Sequence, residues 1–133
     1  MIALDYDSFY VNEEIGFVKI DVEGGEYEVI QGMAKAIEKY QPLITFEVLD
    51  SLNAEVMQFT QNRATLVCEL LTSLNYCIIQ LQTSDSKLIS IKKIDKIIIK
   101  QWAKESYNNN DYLFCLQKDE VKVIEKLKSL CKL

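Results

Sequence analysis

The chain has 133 residues, 49% hydrophobic and 26% charged with a single proline, the balance of one soluble globular domain and not of a disordered or fibrous chain. A net charge of -5 without a basic stripe repels a phosphate backbone, so nucleic acid is excluded as an expected partner. No apolar run approaches the roughly 20 residues of a membrane helix, histidine is absent, and Cys68, Cys77, Cys115 and Cys131 form no Cys-x-x-Cys pair, which removes a membrane span, the usual zinc sets and histidine-based catalysis.

Residues 17–22 are a short apolar-rich run closed by Glu23-Gly24-Gly25, and a glycine pair directly after such a run predicts a strand that ends in a tight turn. From Glu26 to about Tyr40, Val29, Ile30, Met33, Ala34 and Ile37 recur at helical spacing. Glu26 and Glu28 suit the positive end of that helix, so one amphipathic helix is predicted. Pro42 stops it, and Leu43-Ile-Thr-Phe-Glu-Val-Leu49 is β-rich. The order strand, helix, strand predicts a parallel βαβ unit.

Residues 50–61 are polar and carry no clear period. Leu66, Val67, Leu70, Leu71 and Leu74 then form a helical stripe, followed by a strand candidate over 76–81. Leu88-Ile-Ser-Ile91 and Lys96-Ile-Ile-Ile-Lys100 are β-prone runs that predict a hairpin or two edge pieces. Asn108-Asn-Asn-Asp111 reads as a loop and 112–116 as a strand. Val121, Ile124, Leu127, Leu130 and Cys131 predict a last helix, with Lys126, Lys128 and Lys132 at its negative end. The four thiols read as buried and reduced, and a cytoplasmic location is the expectation.

Alternating strands and helices imply an α/β layer fold, which places ligands beyond the carboxyl ends of its strands. Asp21, Glu23 and Glu47 sit near two such ends. Fold alone leaves the chemistry open. The run Ile15-Gly-Phe-Val-Lys-Ile-Asp-Val-Glu-Gly-Gly-Glu26, followed by Val29-Ile-Gln-Gly32 and Pro42-Leu-Ile-Thr-Phe-Glu47, resembles the signature region of FkbM-family, S-adenosylmethionine-dependent methyltransferases. Leu4-Asp5 and Asp111-Tyr-Leu-Phe114 extend the resemblance on either side.

The resemblance implies a Rossmann-like methyltransferase sheet in which these strands correspond to the fourth to seventh. The whole chain would then be a single partial domain, the carboxyl-terminal half, without the amino-terminal half that binds S-adenosylmethionine. Gly24-Gly25 offers no Gly-x-Gly spacing and does not replace that half's glycine-rich turn. Position 25 is also glycine where the family more often carries a side chain. Intact relatives would methylate an oxygen of a small molecule or sugar, and this chain alone would be inactive.

By the same resemblance, Asp21 and Glu23 are the candidate catalytic carboxylates, accepting or orienting the proton of the attacking hydroxyl. Glu26 and Glu47 are candidates for substrate binding; no cofactor-binding or metal residue is assigned. Each has a structural alternative: Asp21 can cap the turn, Glu23 and Glu26 are favoured by the helix dipole, and Lys19 is a solvated or pairing neighbour. Trp102, Tyr107 and Tyr112 are core or pocket aromatics, while Tyr6, Phe9 and Tyr10 would pack on the missing half. The rival readings are a non-catalytic remnant that self-associates through an open strand edge, and one half of a split enzyme whose other half is a separate chain.

Overall fold

The chain alternates between the two backbone periods its sequence encodes, and the computed structural model describes residues 6, 14–85, 87–104 and 109–131. Strand β1 (Phe17–Ile20) leads into helices α1 (Glu26–Gly32) and α2 (Ala34–Tyr40) and returns as β2 (Leu43–Glu47). Helix α3 (Ala54–Ser73) precedes β3 (Tyr76–Ser84), β4 (Lys87–Ile94) and β5 (Asp111–Leu116). A 3-10 turn (Gln117–Asp119) then opens α4 (Glu120–Cys131). Leu4, Asp5, Phe9, Tyr10, Tyr107, Asn108 and Lys132, which carry expectations above, lie outside the described residues.

The sheet runs β1-β2-β5-β3-β4. The β1–β2 pair is parallel, as the βαβ pattern predicts, and β5 slots in antiparallel between β2 and β3. Among the described residues β1 pairs only with β2, so it forms an edge, and Phe17 on it is 57% exposed. This mixed α/β sheet flanked by helices has the architecture expected of a methyltransferase-like fold.

Alternation along the strands divides the apolar residues between two faces. On one face Ile20, Ile44, Phe46, Ile78 and Phe114 pack against Ile30, Ile37, Val67 and Leu71 from α1, α2 and α3. The rings of Phe46 and Phe114 stack with centroids 4.9 Å apart. Ile30, Ile37, Ile44 and Leu71 are fully buried, and each contributes about 1.5–3 kcal/mol of transfer free energy. On the other face Cys77, Ile79, Leu113 and Cys115 lie under Val123, Ile124 and Leu127 of α4. Tyr76 is buried yet satisfied, its hydroxyl donating to the Pro42 carbonyl at 2.9 Å.

Three elements depart from expectation. The helix predicted over 26–40 breaks at Met33, which leaves helical geometry (φ -114, ψ 6) directly after Gly32, the weakest helix former in the stretch. Helix α3 starts well before its apolar stripe, because the Asn53 side chain accepts from the Val56 N–H at 2.9 Å and supplies an N-cap.

The third departure is Lys96-Ile-Ile-Ile-Lys100, which joins no strand. Ile97 and Ile99 do enter the core. The backbone between them is satisfied by a side chain: Gln61 donates to the Ile97 carbonyl and accepts from the Ile99 N–H, both at 2.9 Å. Asp50 accepts from the Lys100 N–H, and Ser51 makes a single bridge with Gln101. The predicted hairpin is instead β3 with β4, both longer than their apolar runs suggest. No described helix is long and apolar enough to cross a membrane.

Candidate functional site

Where β1 ends, the chain must turn sharply to enter α1, and it does so through two residues of positive φ, Glu23 (45°) and Gly24 (104°). Glycine carries that geometry without steric cost; glutamate does not. The turn is held from three sides. The Glu26 carboxylate reaches back to accept from the Gly24 N–H at 2.8 Å. The Gly25 carbonyl accepts from the Val29 N–H. Arg63 on α3 donates to the Gly24 carbonyl at 2.9 Å and pairs with Glu28. That pairing holds the Glu28 carboxyl below its ordinary range.

β2 ends beside this turn, and the stretch from Val48 to Asn53 crosses to the start of α3. Between them opens a cleft of about 350 Å³ at the carboxyl ends of β1 and β2. Glu23, Glu26, Asp50, Ser51, Asn53 and Thr60 give its polar lining, and Val48, Leu49, Leu52 and Val56 its apolar walls. Among the described residues no lysine or arginine lines it. Several polar groups are already engaged: Glu26 on Gly24, Asp50 on Lys100, Asn53 on Val56 and the Thr60 hydroxyl on the Val56 carbonyl.

Asp21 and Glu47 are not among the lining residues. They belong to a row of carboxylates across the strand ends. In the antiparallel register Glu47 faces Asp111. Asp21 stands 3.8 Å from Lys19, with both side chains about two-thirds exposed, 67% for Asp21. Burial pushes the Glu47 carboxyl above its ordinary range, and the charges of Asp111, Asp21 and Glu23 push the same way, against Lys19. Burial likewise raises Asp111, again opposed by Lys19. The four carboxylates singled out in the sequence therefore divide: Glu23 and Glu26 at the cleft, Asp21 and Glu47 in the acidic row.

Sequence reasoning missed Asp50, Ser51, Asn53 and Thr60. Asn53 was findable, since an asparagine shortly before Glu55 and an apolar residue is an N-cap signal. Asp111 was not, because its partner is fixed only once β5 lies beside β2. Of the aromatics, Tyr112 is core and Trp102 is 37% exposed; Tyr6 is half-buried.

Among the described residues no group of carboxylates and thiols is arranged to hold a metal ion. The glycine turn is no better suited to a nucleoside cofactor. The Gly24 N–H and both glycine carbonyls are taken by Glu26, Arg63 and Val29, so these groups do not face a ligand, and no described strand runs into a Gly-x-Gly turn. A family model described as Methyltransferase FkbM domain matches residues 1–76, a range that includes β1, the glycine turn, β2 and α3. No curated protein and no solved structure gives a match.

Proposed function

Since the chain belongs to the FkbM methyltransferase domain family, we propose that it forms the acceptor side of an O-methyltransferase, holding a small neutral hydroxylated molecule or a sugar in the cleft at the ends of β1 and β2. One observation carries this reading: the cleft combines apolar walls with the Glu23 and Glu26 carboxylates of the family motif and has no cationic side chain in its described lining, the nearby Arg63 being engaged with the Gly24 carbonyl and Glu28. Such a lining favours hydroxyl donors and disfavours phosphorylated or carboxylated acceptors.

Methyl transfer to an oxygen needs in-line placement and a route for one proton. Glu23 makes no hydrogen bond or ion pair with the described residues and borders the cleft, so its carboxylate is free to orient the acceptor hydroxyl and take its proton. Glu26 lines the same cleft while fixing the turn that presents Glu23. Asp21 and Glu47 complete the proposed carboxylate set from the strand ends, where their negative charge opposes an anionic acceptor.

S-adenosylmethionine is the methyl donor the family implies, and the described residues do not fit a holder for it. The donor is therefore held by a further half, in the same protein or on a separate chain, docked along the β1 edge that no described strand covers. On this reading the described unit is inactive alone. Four free thiols suit a reducing, cytoplasmic setting.

Two titrations test this. In calorimetry with S-adenosylmethionine no saturable heat is expected, and 1:1 binding would overturn the acceptor-side assignment. In a chemical-shift titration with neutral and phosphorylated monosaccharides, shifts at Gly24, Glu26 and residues 50–53 are expected from neutral members only. Preference for the phosphorylated ones would sink the reading of the cleft.

A second reading, association through the β1 edge without catalysis, is favoured by Phe17 together with an apolar groove of about 550 Å³ between Phe17, Leu43, Leu127 and Leu130. It requires a dimer or larger species in light scattering. A monodisperse monomer rules it out.

A further inference from the structure

Cys77 on β3 and Cys115 on β5 are register partners, and their sulfurs stand 3.5 Å apart with both residues buried. Directly opposed residues on antiparallel strands have Cα atoms about 4.5–5.5 Å apart, inside the window of about 4.4–6.8 Å that a disulfide tolerates. The sulfurs need approach by only about 1.5 Å to reach bonding distance. Backbone register therefore brings the two thiols together whatever happens at the cleft.

We propose that Cys77 and Cys115 are an oxidation site, at which a peroxide converts the two thiols into an intramolecular disulfide that locks β3 to β5. With hydrogen peroxide the balance closes. One thiol sulfur attacks a peroxide oxygen, the O–O bond breaks, and hydroxide leaves as water with the thiol's proton. The resulting sulfenic sulfur is attacked by the second thiol, the S–O bond breaks, and a second water departs with the remaining proton. Two thiols and one peroxide give one disulfide and two waters.

Access to the pair is gated by α4. Val123, Ile124 and Leu127 cover the cysteines, yet none of the described residues of α4 is fully buried. The helix is pinned at its first turn by Lys93 and Glu120, 2.6 Å apart. While α4 is docked, burial and the neighbouring thiol push Cys115 up to about 12, which leaves little thiolate. Oxidation accordingly proceeds when α4 lifts. Cys68, on α3, packs into the core on the opposite face of the sheet and is not a competitor for the bridge.

The bridge spans 38 positions. That loop holds Lys100 and Trp102, whose backbone groups contact Asp50 and Ser51 at the cleft. Oxidation thus closes a covalent loop that contains part of the cleft's support, a consequence independent of which acceptor binds there.

The test treats the purified chain with hydrogen peroxide, blocks residual thiols after denaturation and maps the products by mass spectrometry. The expected product lacks two hydrogens and yields a linked peptide pair joining Cys77 to Cys115. Its melting temperature is several degrees above that of the reduced chain, and dithiothreitol reverses the shift. A chain carrying C68A and C131A behaves identically, and Leu127→Ala speeds bridge formation several-fold by loosening α4. Bridges to Cys68 or Cys131 would overturn the proposal. So would sulfinic or sulfonic acids without a bridge, or no reaction even in the Leu127→Ala chain.

Discussion

Arg63 in α3 donates from Nε to the carbonyl oxygen of Gly24 at 2.9 Å, so the turn of the family motif is held by a residue 39 positions further along the chain. The same guanidinium pairs with Glu28 and lies over the Phe59 ring. The Arg63 side chain is only 20% exposed, whereas Glu28 is more than half exposed, so the backbone bond dominates. Arg63→Met is expected to cost about 1 kcal/mol in urea unfolding. Arg63→Lys should recover little, because an ammonium lacks the planar, rigidly placed donors with which the guanidinium meets the Gly24 carbonyl and Glu28 together. Amide exchange should quicken at Gly24 to Glu26 before it quickens within α3. Glu28 titrates low in the folded state, so the stability it lends is present above its unfolded pKa and fades as pH falls through the folded value. The Arg63→Met penalty should shrink in acid accordingly.

The cross-strand pair Glu47 and Asp111 works in the opposite sense. Burial first, then carboxylate neighbours, raise Glu47 above its unfolded value, and burial raises Asp111. A raised acid stabilises the fold below its unfolded pKa, and that contribution is lost as pH rises through the folded pKa. The two side chains face each other in register, so their ionisation as pH rises sets like charges against one another. Glu47→Gln should therefore raise stability at pH 7 by on the order of 0.5 kcal/mol, the scale of a like-charge cross-strand pair. Denaturant midpoints measured from pH 4 to pH 8 should show the gain disappearing in acid. A gain independent of pH would refute the electrostatic account.

Gln61 replaces a strand neighbour for residues 97–99. Its amide closes two backbone groups at once, the Ile97 carbonyl and the Ile99 N–H, beside two buried isoleucines. Gln61→Ala leaves both without that partner and should cost about 2–3 kcal/mol. Gln61→Glu keeps the acceptor for Ile99 and loses the donor to Ile97, so an intermediate loss is expected. Thermal melts of the three chains order the effects.

These cases mark where the sequence is legible. The βαβ unit can be read from Phe17 to Glu47 because each boundary is local: a glycine pair, a helical stripe, Pro42, a β-rich run. The family could be read for the same reason, since its motif is contiguous. Residues 96–100 mislead because Ile97 and Ile99 alternate like a strand, and nothing nearby in sequence reveals that a glutamine on α3 serves as their partner. The early part of α3 is obscure because Val56 and Phe59 face outward, which erases the apolar period. The facing carboxylates of Glu47 and Asp111, like the facing thiols of Cys77 and Cys115, exist only because β5 inserts between β2 and β3. Such long-range register leaves no local trace.

The glycine pair allows the sharpest separation of neighbouring positions. Gly24 has φ +104 and nothing within 4 Å of where a Cβ would stand, so a side chain there meets backbone strain and no steric wall. Gly24→Ala should cost about 1–3 kcal/mol, the scale of a non-glycine residue held in that region. Gly25 has φ -98 and ψ 10, which alanine adopts freely, and an added Cβ would meet the Val22 side chain at 3.4 Å, ordinary contact. Gly25→Ala should therefore stabilise by about 0.4–1 kcal/mol, by restricting the unfolded chain. Urea titration of the two single variants decides the matter: equal losses at both positions would mean that the turn needs both glycines and that the geometry assigned to Gly25 is wrong.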